Sequence, residues 1–251
     1  MAKAKTGEAG QLGGAVISQQ IAAQLLREMR TGPYESCERL PAEVELAARL
    51  GVSRTVIRDA LAELEREGYV ERVRGIGTVV NRRIVSLDNR LDQKFEYSAM
   101  IRAAGYIPHA DGISVQQITA DSHLANLLEL EVGDPVLMVR KRVLAGEMPV
   151  IYSVDYLPAG LLDHETALRQ DFARPIFDIL EEECGVYVTS TVTHISAVLG
   201  DAAIRKTLAV PEHEALLLMD EVSFSKLTRP VMYSLSYYTN FFSFSLLRKK
   251  V

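Results

Sequence analysis

Two arginines, Arg54 and Arg58, stand four residues apart near the start of a predicted helix. That spacing places both guanidinium groups on one helical face, away from the apolar Ile57. Arginine binds guanine edges and phosphate oxygens through paired hydrogen bonds, so this face is suited to nucleic acid. Ser53 and Thr55 flank the first arginine, and the free N–H groups of a helix start favour a phosphate oxygen there.

The alternative is that the arginines only solvate the helix and pair with nearby acids, Asp59, Glu63 or Glu65. The surrounding elements weigh against it. Apolar residues at steps of four, from Ile17 to Met29, predict a first helix that ends near residues 31–33. A second helix begins at Pro41 and ends before Gly51, and Ser53 caps a third helix that continues to Glu67. This order predicts a helix-turn-helix whose second helix begins with the arginines.

A glycine-tipped hairpin follows the third helix. Residues 69–73 and 78–80 are β-prone, and residues 74–77 form the predicted turn between them. Gly75 and Gly77 allow the tip to approach a DNA groove or backbone closely, and Arg72 and Arg74 are placed to contact it. The hairpin completes a predicted winged helix-turn-helix.

Residues 15–80 resemble the winged helix-turn-helix of the GntR family of bacterial regulators. The matching residues are Leu40-Pro41, Glu43, Leu46-Ala47, Gly51-Val52-Ser53-Arg54, Arg58, Ala60-Leu61, Leu64, Glu67-Gly68 and Gly75, Gly77 and Thr78. The resemblance implies DNA contacts for Arg54, Thr55, Arg58 and Gly77. Val44 stands where the family has arginine, so no contact is carried over to it; Cys37 and Val56 also depart from the family pattern.

Charge is distributed unevenly along the chain. Hydrophobic residues make up 48% and charged residues 24% of its 251 residues, as in ordinary globular proteins. The net charge is −5, but residues 1–85 carry 13 Lys and Arg against 11 Asp and Glu, whereas the remainder carries 15 against 22. The first part can therefore meet phosphate, and the second is repelled by it.

The chain shows no pattern of targeting or membrane insertion. No apolar run approaches the ~18 residues of a membrane span, and residues 1–14 lack the apolar core of a secretory signal. The glycines of that segment predict a disordered tail instead. Cys37 and Cys184 are far apart and predicted to be reduced thiols, so we expect a cytoplasmic protein with no membrane partner.

The length favours two domains. We predict a disordered tail over 1–14, a DNA-binding domain over 15–80, a linker over 81–93 and a second domain over 94–251. Within the linker, Ile84, Val85 and Leu87 can form a docking strand.

The second domain contains an internal repeat. Residues 149–156 recur 81 residues later as 230–237, and residues upstream of both recur at a spacing of 80. Each copy predicts a helix followed by two strands, and two copies can pair into one antiparallel sheet with helices on one face, an α+β fold. The predicted strands are 136–143, 150–156, 215–224 and 231–238, and the predicted helices are 122–128, 176–184 and 202–208.

Residues 94–248 resemble the effector-binding domain of the HutC-type GntR branch, called UTRA, which is similar to the chorismate-lyase fold. The carriers are Met100 to Tyr106 with Pro108, Leu130, Gly133 to Val136, Arg140 and Arg142, Pro149-Val150, Tyr156 to Pro158 and Phe242 to Phe244. The resemblance implies a small metabolite bound between the two halves of the sheet.

Candidate effector-binding residues follow from this. Arg140 and Arg142 share one face of a strand and can clamp an anionic group, or else solvate that face or form a salt bridge. Ser98 can bind the same anion or simply cap its helix. The repeated strands add the candidates Tyr152, Asp155, Tyr233, Ser236 and Tyr238. Because side chains alternate between the two faces of a strand, these five cannot all line one cavity.

The histidines show no metal-ligand spacing and no phosphate-binding glycine loop follows a strand, so we expect no metal, cofactor or enzymatic activity. We predict a homodimeric repressor that binds a palindromic double-stranded operator and responds to a small-molecule effector. The alternatives are a DNA-binding regulator without a ligand and a chorismate-lyase-like enzyme.

Overall fold

The computed structural model describes residues 8–92 and 96–249, and these divide into two compact units. The first unit comprises residues up to Arg90 together with the segment from Ser245 onwards, and the second comprises Leu91–Phe244. The chain therefore passes from one unit to the other twice.

The first unit, hereafter the head, holds three helices, a hairpin and a short fourth helix. They are α1 (Glu8–Thr31), α2 (Glu43–Leu50), α3 (Arg54–Arg66), β1 (Val70–Val73), β2 (Gly77–Val80) and α4 (Arg82–Val85). Leu25, Ile57 and Leu61 are fully buried in its core, as the apolar spacing predicts. Helix α1 begins inside the segment for which the sequence predicts a disordered tail, and residues 1–7 of that segment lie outside the described residues.

The predicted linker region contains helix α4 where the sequence suggested a docking strand. Asn81 caps this helix by accepting a hydrogen bond from the Ile84 N–H at 3.3 Å. The Arg82 guanidinium donates to the carbonyl oxygens of Met29, Tyr34, Glu35 and Cys37 at 2.7–2.9 Å. These bonds fasten α4 to the end of α1 and the loop after it, because one planar fork satisfies four carbonyls at once.

The second unit is a six-stranded antiparallel sheet covered by helices. Its elements are α5 (Tyr97–Ala103), β3 (Pro108–Thr119), α6 (Ser122–Leu128), β4 (Pro135–Ala145), β5 (Met148–Pro158), α7 (His164–Ala167), α8 (Ile176–Cys184), β6 (Val188–Val198), α9 (Ala202–Leu208), β7 (Leu216–Ser225), a 3-10 turn (Lys226–Thr228) and β8 (Pro230–Tyr238). The sheet order is β3-β4-β5-β8-β7-β6.

The predicted internal repeat is present in the sheet. Strands β3, β4 and β5 with helix α6 form one half, and β6, β7 and β8 with α9 form the other. The halves join where β5 pairs with β8, so that Tyr156 faces Tyr233 and Ser153 faces Ser236. Asp121 and Asp201 cap the matching helices α6 and α9 through the same hydrogen bond to a backbone N–H, each at 2.8 Å. The predicted α+β class is confirmed.

Helices cover both faces of this sheet, whereas the sequence predicted one. On β4, Val136 packs with α6, and its neighbour Leu137 packs with α8 on the opposite side. Successive strand residues point to opposite faces, so both sides of β4 are apolar and buried. We call the side that carries α5, α7 and α8 the inner face, and the side that carries α6 and α9 the outer face.

Along the described ranges 8–92 and 96–249, no helix combines the length and apolar character that crossing a membrane requires. The same residues hold no cluster of three or more His, Cys, Asp or Glu side chains arranged to hold a metal ion.

Candidate nucleic-acid interface and ligand cavity

The start of α3 is built by the turn that precedes it. Gly51 ends α2 with a φ of 66°, a left-handed conformation that favours glycine. Ser53 then caps α3, its hydroxyl accepting a hydrogen bond from the Val56 N–H at 3.3 Å. The cap leaves Arg54 and Thr55 exposed in the first turn of the helix.

The two arginines of α3 lie on its exposed face, opposite the buried Ile57 and Leu61. The Arg54 side chain is 65% exposed, and its Nη2 lies 3.5 Å from the Glu43 carboxylate of α2. An exposed ion pair at this distance contributes up to about 1 kcal/mol to stability. Arg54 can therefore leave Glu43 and bind a phosphate or a base edge instead. Arg58 follows one turn later and is also exposed.

The hairpin is held against α3 by Arg72. Its backbone N–H and its guanidinium donate to the Glu65 carboxylate at 2.6–2.8 Å. These hydrogen bonds hold the pKa of the Glu65 carboxyl below its usual range. Arg72 therefore fixes the hairpin to the helix, and this contact was not part of the sequence prediction.

The tip of the hairpin is open. Gly75 and Gly77 have φ values of 78° and 106°, and a Cβ on either would meet nothing within 4 Å. Arg74 is exposed beside them. The tip can therefore approach another molecule closely with its backbone.

A groove of about 1350 Å³, including the part open to solvent, runs between the start of α3 and the hairpin. Its lining brings together four residues that the sequence predicted to bind DNA: Arg54, Arg72, Arg74 and Gly77. Val44 also lines this groove and is largely exposed. At this position the groove therefore presents an apolar side chain, whereas the family that the sequence resembles has an arginine there.

The sheet of the second unit carries a cavity on its inner face. It lies under α5 and α8, and its volume is about 520 Å³ including the part open to solvent. The polar and charged residues in its wall are Glu96, Tyr97, Lys141, Ser153, Asp155, Glu221, Ser234 and Ser236. Apolar residues complete it, among them Val143, Ile151 and Met232. Apolar walls combined with convergent polar groups are typical of small-molecule sites, and in this cavity the polar and charged residues outnumber the apolar ones.

Lys141 is the buried cation of this cavity. Only 2% of the residue is exposed, and Nζ lies 3.4 Å from the carbonyl oxygens of Phe172 and Arg174 and 5.2 Å from the Tyr97 ring centroid. Burial lowers the pKa of the Lys141 ammonium, and the charges of Asp155 and Glu96 act in the opposite direction.

The carboxylates of the cavity are oriented by hydroxyl groups. Ser153 Oγ donates to Asp155 at 2.9 Å, and Thr193 Oγ1 donates to Glu221 at 2.7 Å. Strand β8 lies between β5 and β7. Its residue Ser234 therefore pairs with Asp155 of β5 on one side and with Glu221 of β7 on the other. A row of polar groups thus crosses the junction between the two halves of the sheet.

The predicted effector-binding residues are divided between the two faces. Asp155 and Ser236 line the cavity. Tyr238 shares that face but packs against Phe242 and Phe244, with ring centroids 5.5 and 5.3 Å apart. Ser98 accepts a hydrogen bond from Arg102 and lines a separate depression near His109 and Arg174, and Glu96 takes the capping position of its helix.

The remaining predicted residues lie on the outer face. Arg140 donates to Gln116 at 3.4 Å, and Arg142 is bound to Asp111. Tyr152 packs with Tyr237, and Tyr233 stacks on Tyr156 with centroids 5.6 Å apart. The arginine pair and the cavity are therefore separated by the thickness of the sheet.

Sequence reasoning did not single out Lys141, which lies between the two arginines. The sequence did contain a signal for it. Lys141 points to the same face of β4 as the apolar residues Leu137, Val139 and Val143. A lysine that replaces one apolar residue on a buried face indicates a functional position, since an ammonium is costly to bury.

Comparison with known proteins supports both resemblances. Residues 17–80 match the bacterial regulatory proteins of the gntR family, and residues 103–240 match the UTRA domain. The probable transcriptional regulator PhnF of Escherichia coli (strain K12) is 31% identical over 201 residues, which are 79% of this chain and 80% of that protein. The HTH-type transcriptional repressor PhnF of Mycolicibacterium smegmatis is 30% identical over 210 residues, 81% of this chain and 79% of that protein.

A solved structure extends the likeness over both units. The crystal structure of PhnF from Mycobacterium smegmatis is similar with a TM-score of 0.60 and 26% sequence identity, covering 91% of this chain and 99% of that one.

Proposed function

The chain belongs to the GntR family of bacterial regulatory proteins and carries a UTRA domain, and from this we propose that it is a homodimeric repressor controlled by a small molecule. It is a transcriptional regulator rather than an enzyme, with a DNA-binding head and an effector domain.

The head binds the operator with α3 in the major groove. Its first turn offers Ser53, Arg54 and Thr55, one turn before Arg58, and the hairpin tip at Gly75 and Gly77 reaches the adjacent backbone. The groove that contains both Arg54 and Arg74 supports this arrangement.

The dimer forms through the β6 edge of the sheet. Strand β6 runs for 11 residues without one Asp, Glu, Lys or Arg, and exposes Val192 and Ile195. The other edge, β3, contains the charged Asp111, and both edge strands have one register irregularity, between Asp111 and Ser114 in β3 and between Val188 and Ser190 in β6. A long uncharged edge strand is a template for pairing, whereas a charged one resists it. A second copy of this chain on β6 gives the two heads that a palindromic operator requires.

The effector occupies the cavity on the inner face. Lys141, Asp155 and Ser236 offer it charged and hydrogen-bonding groups, and the apolar walls exclude water around it. The ligand acts by binding two arrangements of the dimer with different affinities, and only that difference changes operator affinity. The relative named a repressor supports repression as the basal activity.

The observation that carries the proposal is that one chain combines the arginine-bearing α3 with a polar cavity at the junction of the repeated strands. The test starts from the full chain and a random-sequence duplex library. Repeated selection should enrich one palindromic motif, and a metabolite library should then contain a compound that raises the melting temperature and lowers affinity for that motif. No enriched motif would contradict DNA recognition. Enrichment without any stabilising compound would instead favour a regulator without a ligand.

A further inference from the structure

The segment from Ser245 to Lys249 folds with the head, although the sheet of the second unit precedes it in the chain. Ser245 forms a parallel bridge with Arg90, and its N–H donates to the Asn89 carbonyl at 3.2 Å. We call residues 245–249 the return segment.

The return segment packs where α3 ends. Gly68 makes the turn after α3 with a φ of 82°. A Cβ placed on Gly68 would lie 2.8 Å from Leu247 Cδ2 and 3.5 Å from Ile84 Cδ1. Leu247 therefore lies directly on the backbone of this turn, whereas the adjacent Leu246 is 56% exposed.

Two cations bind the last carbonyl groups of the same helix. The Lys249 ammonium donates to the carbonyl of Arg66, the last residue of α3. Arg90 donates to the Glu67 carbonyl at 2.9 Å, and its guanidinium lies 4.8 Å from the Tyr69 ring centroid. Positive charge at a helix C-terminus stabilises the helix by satisfying these carbonyls and by interacting with the helix dipole.

We propose that the return segment positions the recognition helix α3 for DNA binding. The corner from Arg66 to Tyr69 joins α3 to β1, so it sets the direction of the helix relative to the hairpin. A 13-residue helix is about 20 Å long, and a tilt of about 5° at one end moves the other by roughly 2 Å. Leu247 thus acts through α3 on Arg54 and Arg58, without touching DNA itself.

The test uses the full chain and three variants. L247D places a charge against Gly68 and Ile84, L246D places the same charge on the exposed neighbour, and L247M keeps an apolar side chain of similar volume. Affinity is measured by fluorescence anisotropy for a duplex selected by the parent chain and for a random duplex, at one salt concentration. Circular dichroism confirms that each variant is folded at the assay temperature.

A positioning role predicts a specific loss. L247D should bind the selected duplex about tenfold more weakly, a change of about 1.4 kcal/mol in binding free energy. Its affinity for the random duplex should equal that of L246D, which carries the same added charge, because non-specific binding depends on charge neutralisation. L246D and L247M should both match the parent. The proposal is overturned if L247D keeps parental affinity for the selected duplex, if L246D loses as much, or if both duplexes are weakened equally.

Discussion

Arg142 and Asp111 face each other across β4 and β3, and the guanidinium donates to the carboxylate at 2.7 Å through Nε and at 2.5 Å through Nη2. Arg142 also donates to the Thr207 carbonyl near the end of α9, at 3.2 Å. Three elements of the outer face are joined by this one side chain. The structure thus gives Arg142 partners within the fold, away from the cavity.

This pair predicts a dependence of stability on pH. Hydrogen bonds from Arg142 lower the pKa of Asp111 from its ordinary 3.8. Because the folded-state pKa lies below the unfolded one, the stabilisation is present above about pH 4 and is lost as pH falls through the folded-state pKa. Both side chains are about one-third exposed, so D111N should lower the free energy of unfolding by no more than about 1 kcal/mol at neutral pH.

Urea unfolding of parent and D111N at about pH 7 and about pH 3.5 measures this effect. The difference between the two proteins should shrink at the lower pH. A difference that grows on acidification would contradict the stabilising role of the pair.

Arg54, the first arginine of α3, should contribute directly to operator affinity. R54A removes a guanidinium from the exposed first turn, and a lost base contact costs about 1–3 kcal/mol of discrimination. R66A removes an arginine of similar exposure, 74%, from the other end of the same helix. In a gel-shift titration at fixed salt, R54A should weaken operator binding and R66A should not. Equal binding by R54A and parent would refute the role, and light scattering should show the same oligomer for all three.

Variants on the two faces of the sheet decide where the effector binds. For any compound that raises the melting temperature of the parent, D155N should reduce the shift, because Asp155 lines the cavity. R140A should keep the full shift, since Arg140 lies on the outer face and donates to Gln116. The opposite result, with R140A unresponsive and D155N normal, would assign the site to the arginine face that the sequence predicted.

The edge of the sheet should determine the oligomeric state. I195K introduces a charge on β6, where Ile195 is 45% exposed, and I113K does the same on the opposite edge strand β3, where Ile113 is 39% exposed. A charge on a pairing edge opposes association. Multi-angle light scattering should show I195K at the mass of one chain and I113K at the mass of two. A dimeric I195K would remove β6 from the interface.

The head was predicted well because its signals are local. Ser53 and Gly51 determine the cap and the turn by their own chemistry, and the apolar spacing of Ile57 and Leu61 determines the buried side of α3. Helices α6, α8 and α9 also match their predicted bounds, since a capping aspartate or proline precedes each.

The sheet was harder to predict for a physical reason. Strands β3 and β6 were missed because each has only one neighbouring strand, and their sequences are rich in Ser, Thr and Gln rather than alternating apolar residues. The sequence did not indicate which face carries the cavity, because helices cover both faces. On β4 the run from Val136 to Val139 is buried on both sides, so alternation indicates which residues share a face but not which face holds a cavity.

The double passage of the chain at Arg90 and Ser245 has a consequence for protein engineering. A gene fragment that stops at Arg90 lacks Leu247 and Lys249, and one that starts at Leu91 carries both without the surface they cover. The effector unit is thus an insertion into the head. Chimaeric regulators that exchange residues 91–244 as a cassette should retain an intact DNA-binding head. Chimaeras with a single junction between the two proteins should lose the return segment from that head.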